Sequence, residues 1–262
     1  MPARLKLRGV TVQFQAAVGG ASAGGALAAL GPVTTTIEPG EFVAVVGPSG
    51  SGKSTLIRVL AGLQPPTRGT AMLEDERGET PITEPSRRVA LMFQDANLMP
   101  WRTVTDNIAL PLELSGVGKA EREAAALALL PRLGLADFAR AYPGELSGGM
   151  AQRAALGRVL IQHPDVLLLD EPFGALDALT REKLSLDLMG VWAQEGQTVV
   201  MVTHDINEAV LLSDRVLVLS RRPGQIVDDV RVLLPRPRAL SDTYSDLFGE
   251  TAGQVRAAIE RA

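Results

Sequence analysis

The sequence predicts an α/β fold: a mixed, largely parallel sheet with an antiparallel β subdomain at its start and a helical subdomain inserted between two strands. Three observations carry this reading. The run FVAVVG at 42–47 is continuously apolar rather than alternating, the pattern of a strand buried on both faces. Three further β-rich runs, RVALMF (88–93), DVLLLD (165–170) and TVVMVT (198–203), are separated by helical patterns, as in a sheet built from crossover units. Between the first two of these lie 104–114, 119–133 and 149–161, all rich in the helix formers Ala, Leu, Glu and Arg.

Taken in order, Leu5, Leu7, Val10, Val12 and Phe14 alternate with Lys6, Arg8, Thr11 and Gln13 apart from one slip at Gly9, which reads as an antiparallel strand with one wet face. A second such strand is expected at 33–37. The glycine- and alanine-rich tract between them reads as a long flexible hairpin connection, because each glycine of its pairs at 19–20 and 24–25 would cost about 1 kcal/mol in a helix. The turn Glu38-Pro39-Gly40 then leads into the buried strand. Trp192, at helical spacing within 180–195, is expected in the core. After a linker, LPRPRAL, residues 241–262 read as a terminal helix, and Arg221, Arg222, Arg236 and Arg238 as solvated side chains of turns and linkers. The expected organisation is one domain over 1–240, with a core from 1–94 and 164–240 and a helical insert at 95–163, followed by the tail at 241–262.

Composition excludes several classes of function. With 262 residues, 46% of them hydrophobic and 21% charged, the chain can bury a sizeable core and is neither disordered nor fibrous. A formal charge of −4 provides no overall basic field for non-specific nucleic-acid binding, and no nucleic-acid partner is expected. The absence of cysteine removes disulfides, thiolate metal sites and cysteine nucleophiles together and suits a reducing compartment. Only His163 and His204 are available for imidazole chemistry, which excludes a histidine-rich metal site. His163, before Pro164, reads as a helix-end residue. The uncharged stretch 9–37 after Arg4, Lys6 and Arg8 mimics a signal peptide. Its middle is glycine and alanine rather than the strongly apolar residues that drive insertion, so a soluble cytoplasmic protein is expected.

Directly after the buried strand comes GPSGSGKST, which matches G-x-x-x-x-G-K-[ST] and precedes an apolar helix, LIRVLAGL. Gly47, Gly50 and Gly52 let the backbone curl so that the N–H groups of this loop, which spans Pro48, Ser49, Ser51 and Thr55 and in which only Pro48 has no N–H, point at a polyphosphate, and the helix start adds a positive dipole end. Lys53 then reaches the β and γ phosphates, and Ser54 supplies a hydroxyl to Mg²⁺. The strand VLLLDEP ends in Asp170 and Glu171, where parallel sheets place their ligands; beside the phosphate loop Asp170 is the expected Mg²⁺ partner and Glu171 is set to take a proton from attacking water. A second helix start, LSGGM, puts Ser147, Gly148 and Gly149 before 150–161. From the residues alone it is equally an anion-binding start or an ordinary serine N-cap.

With these motifs in hand, nearly the whole chain resembles the nucleotide-binding subunits of ABC transporters. LSGGM is similar to the family's signature motif and lies, as in the family, shortly before the acid-ended strand. Gln94 in MFQD resembles the Q-loop glutamine, Asp177 in GALD the D-loop aspartate, His204 in VTHD the switch histidine, and Phe14 the aromatic that stacks on adenine. The segments LMPWRTVTDNIALPLEL, FGALDALTRE and RRPGQIVDDV further resemble importers of the nitrate, sulfonate and taurine type. Two departures stand out: Met150 occupies a place where many members have glutamine, and the loop after Phe14 is longer and richer in glycine than the family's short hairpin.

The resemblance implies the ABC ATPase fold, ATP and Mg²⁺ as ligands, with Gln94 sensing the metal or the water. It further implies a head-to-tail dimer in which Ser147, Gly148, Gly149 and Asp177 face the partner's nucleotide, separate transmembrane permease subunits, an extracytoplasmic solute-binding protein that sets specificity, and a peripheral position at the cytoplasmic face of a bacterial inner membrane. One chain carries two phosphate-aimed helix starts but one lysine and one acid pair, which gives such a dimer a reason. The rivals are a soluble ABC ATPase acting on a macromolecular assembly, which would call for two cassettes, a coiled coil or a basic surface, and a regulatory module without turnover, against which Glu171 and His204 stand. Trp101, in a Pro-Trp-Arg segment after Gln94, is open between core packing and contact with a partner. The transported solute is not legible, because this subunit never touches it.

Overall fold

A computed structural model describes residues 2–15, 26–174 and 176–262. Its strands and helices follow one another as β1 (Arg4–Gln15), β2 (Ala26–Ile37), β3 (Phe42–Val46), α1 (Lys53–Leu60), β4 (Arg68–Asp75), β5 (Gly78–Pro81), β6 (Val89–Met92), α2 (Val104–Leu114), α3 (Lys119–Leu129), α4 (Gly148–Leu160), β7 (Val166–Asp170), α5 (Ala178–Glu195), β8 (Thr198–Val202), α6 (Ile206–Leu212), β9 (Arg215–Leu219), β10 (Ile226–Arg231) and α7 (Asp246–Arg261).

Among the described residues these strands form two sheets. A four-stranded antiparallel sheet runs β2-β1-β4-β5, and a six-stranded sheet runs β10-β9-β3-β8-β7-β6, parallel throughout except for β10. Residues of β3 serve two cores in turn. Val43 and Val45 join Leu5, Leu7, Val10 and the buried face of α1 between the two sheets, while Phe42, Ala44 and Val46 join the core built by α2 and α4 to α7. This double burial is the physical reason the strand is apolar at every position. Between β6 and β7 the chain leaves the sheet to build α2, α3 and α4, the expected helical insertion.

Several elements differ from expectation. The slip at Gly9 is a β-bulge: the register of β1 against β2 shifts between Leu7 and Val10, and alternation resumes on the same buried face. Strand β2 starts at Ala26, not at residue 33, because the small residues Ala26 and Ala28 pair with Gln15 and Gln13; the rest of the expected connection, residues 16–25, lies outside the described residues. Helix α3 stops at Leu129 and residues 130–133 tighten into a 3₁₀ turn with Pro131 in its first turn, where proline is tolerated. Helix α4 begins at Gly148, one residue before expectation. The tail is a 3₁₀ turn at Leu240–Tyr244 and then α7, separated by Ser245, whose hydroxyl accepts from Phe248 N–H and restarts the helix.

Two of the arginines expected in solvent are structural. Arg238 is buried and donates to the carbonyls of Val210 (3.0 Å), Leu211 (3.0 Å) and Ser213 (2.7 Å) at the end of α6, and burial lowers its pKa to about 10. Arg236 lies 4.2 Å over the Trp192 ring and binds Asp214 Oδ1 at 2.8 Å. Trp192 is in the core as expected, 9% exposed, edge-on to Phe42 at 5.5 Å with its indole N–H donating to Gln197 O (2.8 Å). Trp101 is 72% exposed, so core packing is ruled out for it.

Candidate functional site

The six-stranded sheet places its loops at the carboxyl ends of the parallel strands, and there β3, β7 and β8 deliver the residues singled out in the sequence. Beyond Val46 the loop 47–52 turns back on itself, with Ser51 N–H donating to Pro48 O (3.2 Å), and enters α1 through Gly52. Gly52 sits at φ 91°, and a β-carbon there would lie 2.7 Å from the Ala29 carbonyl of β2, so both conformation and space require glycine. No side chain caps α1, which leaves its first N–H groups open to an anion.

Lys53, almost wholly buried, is held by the loop it serves, its Nζ donating to Gly47 O (2.9 Å) and Pro48 O (3.0 Å). Burial lowers its pKa, against the opposing charges of Glu171 and Asp170. Ser54 Oγ donates to Asp170 Oδ1 at 3.4 Å. Burial raises the pKa of Asp170 despite that hydrogen bond, the state of a carboxylate short of positive charge. Glu171 adopts φ 48°, a left-handed conformation uncommon for a side chain other than glycine, and its N–H donates to Val202 O of β8 (2.9 Å). The carboxylate thus turned outward lies 3.2 Å from His204 Nδ1, one loop away after β8.

All of these groups but Asp170, which lies behind Ser54, border one cleft of about 510 Å³, lined by Phe14, Ala29, Gly47, Ser49, Gly50, Ser51, Gly52, Lys53, Ser54, Thr55, Glu171, His204 and Arg222. Phe14, on β1, is 40% exposed at its edge. Gln94 stands just outside this lining. Its amide and the Glu171 carboxylate approach the same point over Gly174, Nε2 at 3.3 Å and Oε2 at 3.5 Å from where a β-carbon there would be. The segment bearing Gln94 is clipped to α4 by donors the sequence reading did not single out: Gln152 Nε2 to Gln94 O (2.6 Å) and Arg158 to the carbonyls of Ala96 (2.6 Å) and Asn97 (2.7 Å).

The remaining predicted residues gather elsewhere. Ser147 caps α4, its hydroxyl accepting from Met150 N–H (3.3 Å), and Asp177 caps α5 in the same way from Thr180 N–H (3.0 Å). The hydrogen bonds with Thr180 hold the Asp177 carboxyl below its usual pKa. Gly148 and Gly149 lie against Leu176 and Thr180, so the two caps share one face; Ser147, Gly148 and Asp177 are exposed and none of the four lines the cleft. Ser147 is thus an N-cap, and it is exposed at the surface. Arg181 ties this face to the cleft's rim, donating to Leu176 O (2.9 Å) and to Asp205 Oδ2 (3.4 Å) beside His204. Arg222, expected in solvent, is exposed but at the cleft. Gln152 and Arg158 pair across a distance in sequence that no local pattern encodes. His163, at φ 48° after α4, ends that helix as expected.

Strand, phosphate loop and helix, with an acid-ended strand one place removed in the same sheet, define a P-loop nucleotide-binding protein. Residues 30–174, more than half of the 262, match the ABC transporter family. The chain is 46% identical over 211 residues to the nitrate import ATP-binding protein NrtD of Synechocystis sp., spanning 80% of this chain and 78% of that one. It is 48% identical over 220 residues to the aliphatic sulfonates import ATP-binding protein SsuB of Shigella sonnei, spanning 84% and 82%. Two dimeric structures of MJ0796 are similar in fold, one described as a bacterial ABC transporter cassette (TM-score 0.73) and one as a post-hydrolysis state bound to ADP and Pi (TM-score 0.72); each is 33% identical and covers 88% of this chain and 100% of the other. The chain belongs to the ABC transporter family, within its ATP-binding cassettes.

Proposed function

We propose that this chain is the ATP-hydrolysing subunit of an importer for a small anion or organic solute of the nitrate, sulfonate and taurine class. The observation that carries the reading is the division of the predicted residues between two faces. Phosphate loop, Glu171 and His204 meet in one cleft, and Ser147, Gly148, Gly149 and Asp177 stand apart from it. Two copies arranged head to tail would bring the second face of each against the cleft of the other, and the dimeric neighbours of similar fold support this.

In this reading the N–H groups of Ser49 to Thr55 and the ammonium of Lys53 bind the phosphates, and Phe14 covers the adenine. Glu171 accepts the proton of the attacking water, oriented by His204, while Gln94 reports on the occupied site. The donor set fits Mg²⁺. Among the described residues no group of three or more His, Asp or Glu side chains is placed to hold a metal, but the Ser54 hydroxyl, the Asp170 carboxylate and the Gln94 amide are hard oxygen ligands that leave room for phosphate oxygens and water. When bound, that ion neutralises charge developing on the phosphates. The raised pKa of Asp170 suits a carboxylate that acquires its counter-charge only with the ligand.

The core, from 1–94 and 164–240, would carry hydrolysis, and the insert at 95–163 would present Trp101 to permease subunits. Such subunits would be separate chains; among the described residues no helix is long and apolar enough to cross a membrane. The chain would sit at the cytoplasmic face of the inner membrane, and an extracytoplasmic solute-binding protein would select the solute; the relatives' names support import of nitrate or aliphatic sulfonates. Phosphate release by the purified chain, with co-purification of a multispanning membrane protein, tests this. ATPase without any membrane partner would favour a soluble cassette acting on a macromolecular assembly instead.

A further inference from the structure

The turn joining β9 to β10 brings a second cation to the cleft, and the turn is built rather than loose. Ser220 N–H donates to Gln225 O (2.8 Å) and Gln225 N–H to Ser220 Oγ (3.0 Å), closing it on itself. Gly224 N–H donates to Ala29 O (3.1 Å) and Gly31 N–H to Gly224 O (2.9 Å), which pins it to β2. On its other side Gly224 lies so close to the Ser51 carbonyl of the phosphate loop that any β-carbon would overlap it. Wedged between β2 and the phosphate loop, the turn has little freedom to carry its side chains elsewhere.

Arg222, near the tip of this turn, lines the cleft, its Nη2 4.0 Å from where a β-carbon of Gly50 would be. It makes no ion pair and no side-chain hydrogen bond with the described residues, although the chain is acidic and Arg4, Arg88, Arg102 and Arg215 are each paired with a carboxylate. The other cation of the cleft, Lys53, is engaged at the base by two loop carbonyls. The lining acid, Glu171, faces His204. A guanidinium is a rigid planar fork of donors matched to phosphate oxygens, and here one is held unpaired beside a loop shaped for phosphates.

We propose that Arg222 binds the polyphosphate of the nucleotide held by its own subunit, so that the β9–β10 turn forms a second wall of the site opposite α1. This rests on the reading of the cleft as the nucleotide site. Calorimetric titration of the full chain with ATP, and separately with inorganic triphosphate, tests it in wild type, Arg222→Ala and Arg222→Lys. The alanine variant is expected to bind both ligands about tenfold more weakly, the size of one lost charge-assisted contact, with the lysine variant in between and the ligand-free melting temperature unchanged. Equal affinities in wild type and Arg222→Ala would overturn the inference alone. Weakened ATP with unchanged triphosphate would move Arg222 to the base or ribose and overturn it too. A wild type that binds neither ligand would sink the cleft reading itself.

Discussion

Two helix starts in this chain have the geometry of anion sites, and they are equipped in opposite ways. Helix α1 begins without a cap, its open N–H groups facing a cleft with a buried lysine, two carboxylates, a histidine and an aromatic at hand. Helix α4 begins with a capping serine at an exposed surface, beside a second capped helix, α5, and outside the lining of that cleft. The first is a place where chemistry can happen; the second is a face that has to be brought to a ligand. In the proposed reading a chain so divided has most of one site and a fragment of another, which a second copy would complete.

The largest effect expected on this contrast comes from the cleft. Glu171→Gln should leave ATP binding intact and cut turnover by at least about a hundredfold, the size of losing a positioned general base. ATP-dependent dimers of this variant should persist in gel filtration. Wild-type phosphate release would show that the carboxylate held near His204 is not the base.

Next in size is the cleft's aromatic edge. Phe14→Ala should weaken ATP binding by about 1–3 kcal/mol, by analogy with aromatic stacking on nucleobases, while Phe14→Trp is tolerated. An unchanged affinity would remove Phe14 from the site and leave the adenine to other groups.

The smallest effect is expected on the isolated subunit's stability when Trp101 is replaced. At 72% exposure it has little packing to lose, so Trp101→Ala should alter folding stability by no more than about 0.5 kcal/mol. Basal ATPase should stay near normal, and pull-down of the permease should fail, because a large aromatic buried at an interface contributes about 2 kcal/mol or more. A large drop in melting temperature with intact assembly would reverse that assignment.

How much of this was legible depends on whether the signal is local. The phosphate loop, the acids after β7 and the histidine after β8 follow short apolar strands, and local pattern suffices to find them. Strand β4 does not declare itself, since only Ala71 and Leu73 of its residues are buried. Strand β9 does, with RVLVL as apolar as its neighbours in the sheet. Arg238 and Arg236 sit in a proline-rich linker that looks like a solvated one; what internalises them is a set of helix-end carbonyls and an indole ring supplied from distant elements. The glycine-rich lead into β2 reads as loop because alanine and glycine have low strand propensity, whereas pairing with β1 imposes the strand from Ala26 onward.

The claim that each chain holds complementary halves of two sites is tested most directly by mixing defects. Ser147→Arg should abolish hydrolysis without weakening ATP binding to the monomer, and Lys53→Ala should abolish it by disabling the cleft. A heterodimer of the two variants carries both defects in one composite site and neither in the other. The account predicts that ATPase activity, absent from each variant alone, returns when heterodimers form. A mixture that stays dead although heterodimers are demonstrated would contradict independent composite sites.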